Sequence, residues 1–430
     1  MSFKGKASSL ISNMREKKKE RAANIANSMS SNAVKEVSPE FDYVEKRDRV
    51  EVPNLATAEE ETESKFADGP AEKNNQLSLW ENTKGPACAG SRKDSVQGLS
   101  RNSLVMYQAR SHVAASIELP QIGSQGISSW GFDVLDMSAE QCEAYVYHLF
   151  DQFGLIDEFE LDKNVVIDFV GAILGKYREV DYHDYLHATQ VVHQTGWLLL
   201  RTQSANDYIV LGLLLAALCH DVDHPGNNNG FEIQADTELA RIYAYDSVLE
   251  RHHCATALRV LHNDKLNVLK TLGRDDSFKV KSVLVHAILS TDMNEHSVLM
   301  GRLEELTPEV FDDIEEQSHN TQLTKCLIAA IIHTADLSTN AMDLGVAKRW
   351  GNKCLEEFKC QGEKEKEKGL VVTSFMENLV EDKDRCKIQF GFVKFVCKPW
   401  FLTMSKFEMF ELDEPLANLN AVIGYYDEGQ

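Results

Sequence analysis

The chain has 430 residues, with 45 Lys and Arg against 67 Asp and Glu for a net charge of −22. Its 43% hydrophobic and 26% charged content is that of a soluble globular protein, long enough for one large domain or two to three ordinary ones. The acidic balance supplies no basic surface to neutralise phosphates, which argues against a general nucleic-acid binder.

Residues 1–100 differ from the rest. Met1 to Lys35 carries eight bases and two acids, a net +6, and Glu36 to Glu72 carries twelve acids and four bases, a net −8. Opposed charge blocks with Ser, Asn and Ala between them lack the apolar residues of a core, so a solvated tail, disordered or partly helical, is expected over 1–100. Alternatively, Leu10, Ile11, Met14, Ile25 and Met29 beside the basic run make an amphipathic segment for an anionic membrane, a cytoskeletal element or a partner helix. No Met-Gly start or CaaX ending suggests a lipid anchor. Nine dispersed cysteines without a CxxC pair, and no secretory signal, point to reduced thiols in the cytoplasm.

From about Asn102 onward apolar residues recur three and four apart. Helices are predicted over Phe150–Phe159, Val165–Tyr177, Leu186–Leu200, Tyr208–Cys219, Val248–Leu261, Val280–Leu289, Gln322–His333 and Trp350–Phe358. The longest apolar stretch, Tyr208 to Cys219, is too short to span a bilayer and reads as a core helix. Strand-like alternation is scarce and there is no internal repeat. The fold class is therefore all-α, with one large domain over 101–430 and helical subdomains around a shared cleft. The oligomeric state stays open.

Imidazoles and carboxylates gather at the ends of these helices. Tyr182-His183-Asp184-Tyr185-Leu186-His187 sets His183 and His187 at i and i+4, predicted to share a helix face. His220-Asp221-Val222-Asp223-His224-Pro225-Gly226 ends the longest apolar helix, and His333-Thr334-Ala335-Asp336 ends another. Such groups are costly to bury unpaired, and a cation of the zinc or magnesium type would pair them. Ligation by nitrogen and oxygen without thiolate favours a catalytic, water-bearing centre over a closed structural one.

Seven ordered motifs extend this pattern. They are Tyr182-His183-x-x-x-His187, His220-Asp221-x-Asp223-His224-Pro225-Gly226-x-x-Asn229, Ser247-Val248-Leu249-Glu250-x-His252-His253, Thr291-Asp292-Met293-x-x-His296, Ala335-Asp336-Leu337-Ser338, Glu356-Glu357-Phe358-x-x-Gln361-Gly362 and Gln389-x-Gly391-Phe392. Together they resemble the catalytic domain of class I 3′,5′-cyclic nucleotide phosphodiesterases, relatives of the HD-type metal phosphohydrolases, from about Ser100 to Tyr426.

The resemblance implies two divalent metals, usually zinc and then magnesium or manganese. His187, His220, Asp221 and Asp336 match the ligands of the first, and Asp221 also bridges to the second. His224, Glu250 and Thr291 match positions holding the second ion's waters, and a hydroxide shared by the metals is the implied nucleophile. His183 matches the general acid, with Glu250 a candidate to orient it. Gln389 matches the glutamine at the purine edge, Phe392 an aromatic against the ring, and Cys354 the position opposite; Tyr182 and Thr339 join the substrate-binding set. The implied reaction is hydrolysis of cyclic AMP, favoured over cyclic GMP, to the 5′-monophosphate. The alternatives are an HD-type phosphohydrolase on another nucleotide and an inactive nucleotide-binding module.

Two places depart from the family pattern. Asp184 stands where Asn is usual, and an added carboxylate there can raise the pKa of His183 or alter its tautomer. Thr339-Asn340 replaces the usual Asn-Pro.

Overall fold

The computed structural model describes residues 126–202, 205–311, 321–377 and 379–429, so the tail expected over 1–100 lies outside the described residues. Among these residues there is no strand, and no helix is long and apolar enough to cross a membrane. A 3₁₀ turn at Gly126–Ser128 precedes α1 (Ala139–Gln152), which starts in a capping box: Ser138 Oγ accepts from Gln141 N–H and Gln141 Oε1 accepts from Ser138 N–H. Left-handed Gly154 (φ 71°) then separates α1 from α2 (Leu155–Glu158), so the single helix predicted over Phe150–Phe159 is two. The helix predicted over Val165–Tyr177 is α3 (Lys163–Leu174), stopped at Gly175.

The centre of the fold is α4 (Tyr185–Arg201) and α5 (Asp207–Cys219). Asp184 caps α4 by accepting from Leu186 N–H and His187 N–H. The helix therefore begins two residues after His183, and His183 and His187 do not share a helical face as the i, i+4 spacing suggested. Every residue of α5 from Ile209 to Cys219 is buried, as a helix that is apolar all round requires, and each buried Leu or Ile there contributes about 1.5–3 kcal/mol.

After α5 come the short α6 (Asn229–Gln234) and α7 (Glu238–Ile242), then α8 (Val248–Leu261), α9 (Arg274–Leu289) and α10 (His296–Glu305). Gly212 lets α9 lie against α5, since a Cβ there would sit 2.6 Å from Val283 Cβ. The chain continues through α11 (Gln322–Asp336), a 3₁₀ turn at Leu337–Ala341 and the 24-residue α12 (Leu344–Glu367), of which Trp350–Phe358 was the legible part. It closes with α13 (Asp382–Phe392), a π-helical turn at Val393–Cys397, α14 (Lys398–Ser405) and α15 (Asp413–Glu428). His187 in the first turn of α4, His220 at the end of α5 and Asp336 at the end of α11 are thus presented by three core helices.

Candidate active site

Four groups distant in sequence converge. His187 Nε2 lies 3.1 Å from Asp336 Oδ1, 3.2 Å from His220 Nε2 and 3.5 Å from Asp221 Oδ2. His220 Nε2 lies 3.0 Å from Asp221 Oδ2 and 3.4 Å from Asp336 Oδ1. Both imidazoles are fully buried, whereas the Asp221 and Asp336 side chains are 14% and 21% exposed, so the cluster opens to solvent on its carboxylate side. His220 Nδ1–H donates to Ala217 C=O at 2.9 Å, which leaves Nε2 of the neutral ring a bare lone pair. That lone pair faces two carboxylates and a second imidazole nitrogen, and only a positive charge makes the meeting favourable.

The spacing suits a metal. Vertices of a tetrahedron with edges of this length lie about 2 Å from its centre, the bond length of a small divalent cation to nitrogen and oxygen donors. These four residues can hold such an ion. Behind them, Tyr177 Oη donates to Leu218 C=O at 3.0 Å and accepts from Asp221 N–H at 3.4 Å, which fixes the backbone at the end of α5. Left-handed Asp223 (φ 65°) and Gly226 (φ 72°) then turn the chain so that His224 comes back to the site.

A second donor set shares Asp221 with the first. Asp221, His224 and His253 each offer a ligand atom, all within 4.8 Å of one another. His253 Nδ1–H donates to Val222 C=O at 2.7 Å, so its buried Nε2 is an acceptor; it has no hydrogen-bond partner and stands 3.7 Å from Asp221 Oδ1. An orphaned lone pair beside a carboxylate again fits a cation or its bound water. Motif three contains His253, but its sequence spacing assigned it no role.

Beside the cluster stands His183, at the apex of a three-residue turn closed by Asp184 N–H donating to Tyr182 C=O at 2.8 Å. Its ring lies over that of His224, with centroids 4.0 Å apart. Glu357 of α12 holds this turn with both oxygens. Oε1 meets His183 Nδ1 at 2.5 Å, and Oε2 accepts from Tyr182 N–H at 2.8 Å and His183 N–H at 3.1 Å. Burial opposes charge on His183, but the Glu357 and Asp221 carboxylates outweigh it and lift the imidazole to about 9. Burial likewise opposes the charge on Glu357, and His183 overcomes it and keeps the carboxyl ionised well below its ordinary range. On His224, burial and the neighbouring His183 act together and depress the pKa. Of the two neighbouring rings, His183 is the one whose environment favours the proton.

A family model for 3′5′-cyclic nucleotide phosphodiesterase matches residues 182–419, more than half of the chain. The chain belongs to the 3′,5′-cyclic nucleotide phosphodiesterase family. The human high affinity cGMP-specific 3′,5′-cyclic phosphodiesterase 9A is 32% identical over 278 residues, which are 64% of this chain and 46% of that protein. The mouse 3′,5′-cyclic-AMP phosphodiesterase 4C is 28% identical over 291 residues, 64% of this chain and 41% of that one. The chain therefore spans about half the length of the curated relatives it matches. The crystal structure of the phosphodiesterase domain of a RhoPDE fusion protein from the choanoflagellate Salpingoeca rosetta superposes with a TM-score of 0.67 at 29% identity, covering 74% of this chain and 98% of that one.

One assignment changes. Glu250 was the candidate to orient His183, but both its oxygens accept from Asn229 Nδ2, at 3.1 and 2.9 Å, and Glu357 takes the imidazole. The reason is helical geometry: Glu250 sits in the first turn of α8, where Asn229 also receives Leu249 N–H, while Glu357 projects from α12 onto the turn. Glu357 lay within a motif read from the sequence, and no local spacing ties it to a residue 174 positions away. Burial, with the Asp292 carboxylate, pushes Glu250 up to about 7, and Asp221 adds to this. Thr291 is buried and its hydroxyl donates to Ile288 C=O at 2.8 Å.

The expected nucleotide contacts fall into two groups. Tyr182 lies edge-on to His183 and packs on His187, with its hydroxyl 2.9 Å from Thr339 Oγ1, which places Thr339 in the wall behind the imidazoles. Cys354 lies on α12 one turn before Glu357, and burial, with the Glu357 carboxylate beside it, raises its thiol pKa. Gln389 is buried on α13 and its Nε2 donates to Gly351 C=O of α12 at 3.2 Å. Phe392, at the end of α13, packs partly buried against the core.

These geometries carry a pH prediction. His183 keeps its proton below about 9 and loses it above, so an acid role fails as pH rises through that value. Glu357→Gln removes the largest upward influence, and the alkaline limb of kcat/KM moves to lower pH by about 1–3 units. A pH–rate profile whose alkaline limb stays in place would remove Glu357 from this role.

Proposed function

We propose that the protein hydrolyses 3′,5′-cyclic nucleotides to nucleoside 5′-monophosphates, through a domain over 101–430. The observation that carries this reading is the adjacency of the His187, His220, Asp221 and Asp336 cluster to an imidazole, His183, backed by its own carboxylate. Zinc in that cluster and magnesium or manganese on its Asp221 side would supply Lewis acidity, acidifying water and offsetting charge on the phosphoryl oxygens.

The protein's own groups do the rest. Glu357 holds His183 at Nδ1, so Nε2 is the nitrogen left to give a proton to the departing ribose 3′-oxygen. His224, Glu250, Thr291 and His253 hold the waters on the Asp221 side. Tyr182, Thr339 and Cys354 form the wall of the nucleotide site, and Phe392 takes one face of the base. With Nε2 of Gln389 given to Gly351, its Oε1 is the acceptor for the base edge, a need met by adenine N6–H or guanine N1–H. Cyclic AMP is our first choice and cyclic GMP the second. We place the protein in the cytoplasm, with residues 1–100 as the contact for a membrane, cytoskeletal element or protein partner.

The test is kcat/KM for cyclic AMP and cyclic GMP side by side, with non-cyclic nucleotides as the panel. Turnover of a cyclic substrate to its 5′-monophosphate is expected. Turnover of non-cyclic nucleotides alone would favour an HD-type phosphohydrolase. Tight binding without turnover, with metal bound, would favour an inactive nucleotide-binding module.

A further inference from the structure

Asp184, the residue at which this chain departs from the family pattern next to His183, has both oxygens engaged. Oδ1 accepts from Leu186 N–H at 2.9 Å and His187 N–H at 3.0 Å, and Oδ2 takes Lys353 Nζ of α12 at 3.2 Å. The Asp184 side chain is 12% exposed and that of Lys353 28%, so this pair is shielded far more than a surface ion pair. Lys353 and Glu357 stand at i and i+4, on one face of α12. One face of α12 therefore grips consecutive residues of the turn from both sides, Glu357 at Tyr182 and His183 and Lys353 at Asp184.

We propose that Lys353 and Asp184 form a positioning pair that fixes the apex of the Tyr182-His183-Asp184 turn, and with it the reach of the His183 imidazole. The inference rests on the phosphodiester-hydrolysis reading for its catalytic consequence. The chemistry of the pair explains why the two residues occur together. Aspartate and asparagine both cap α4 through Oδ1, but an asparagine would turn its amide donor toward the Lys353 ammonium, donor against donor. With aspartate the second oxygen accepts instead. Removing the lysine leaves a shielded carboxylate without its cation, one peptide from His183, and the turn must shift or draw in water to solvate it.

Neither residue touches the reacting atoms, so the test separates positioning from folding. Lys353→Met should lower kcat about tenfold with KM within about twofold, and adding Asp184→Asn should bring kcat back to within about threefold of the parent, a coupling in the range seen for contacting residues. Lys353→Arg should keep the parent kcat. Lys353→Gln, which removes the charge and shortens the reach while keeping a polar end, reads the same loss should the methionine variant unfold. In the metal-free full-length protein, the ring nitrogen resonances of His183 should move in Lys353→Met and return in the double variant.

A parent-like kcat in Lys353→Met, no recovery in the double variant, or an unmoved His183 resonance would each overturn the pair. If the parent protein turns over no cyclic nucleotide, the hydrolysis reading is what has failed, and the resonance alone then decides for or against the pair.

Discussion

His183→Asn should remove about 10²–10⁴ of kcat while metal content and KM stay near those of the parent protein. Asparagine keeps a polar side chain that can still meet Glu357, so the turn held by Tyr182 N–H and His183 N–H has no reason to open. What it lacks is a titrating nitrogen. A ribose 3′-oxygen leaving as an alkoxide is high in energy, and the loss falls on the step in which that oxygen departs, so it appears in kcat. An activated leaving group that needs no proton should recover much of the rate in this variant. Undiminished turnover of the natural substrate by His183→Asn would reject His183 as the acid.

Asp336→Ala should abolish binding at the four-residue cluster, and turnover should fall by on the order of 10³-fold or more, since several kcal/mol of charge stabilisation go with the ion. The variant withdraws the oxygen that both His187 and His220 face at 3.1 and 3.4 Å. Elemental analysis of the purified variant and activity with excess added metal check it together. Full metal content in Asp336→Ala would mean that the convergence of these residues serves another purpose. Because Asp336 is partly open to solvent and ends its helix, the substitution removes little packing, so the thermal midpoint should stay within a few degrees.

The helices that bring the four-residue cluster together were legible because they are extreme. Asp207–Cys219 is apolar at nearly every position, and Gln322–Asp336 and Val248–Leu261 follow their predicted limits to within a few residues. The elements that carry His187, His220, Asp221 and Asp336 stood out because polar groups at the ends of apolar helices need a reason to be there, and the choice of these four among their neighbours came from the family resemblance. Short-range exceptions were lost. Left-handed Gly154 splits one predicted helix, and the Asp184 cap takes His183 off the helix whose spacing had seemed to include it. Partnerships across the chain were lost too, for Glu357 and Lys353 reach residues 174 and 169 positions away, and local periodicity holds no record of such pairs.

α12 itself has a consequence for how this molecule tolerates change. Successive turns of that one rod place Trp350 against Tyr182 and His187, Lys353 on Asp184, Glu357 on His183, and Gln361 on Asn228 in the loop before α6. Each added residue advances a helix by about 100°, so a single insertion within this span would swing every later grip off its target together. The His183 turn, the Tyr182 and His187 rings and the loop before α6 therefore share one angular phase, and the span can drift in side chain far more freely than in length.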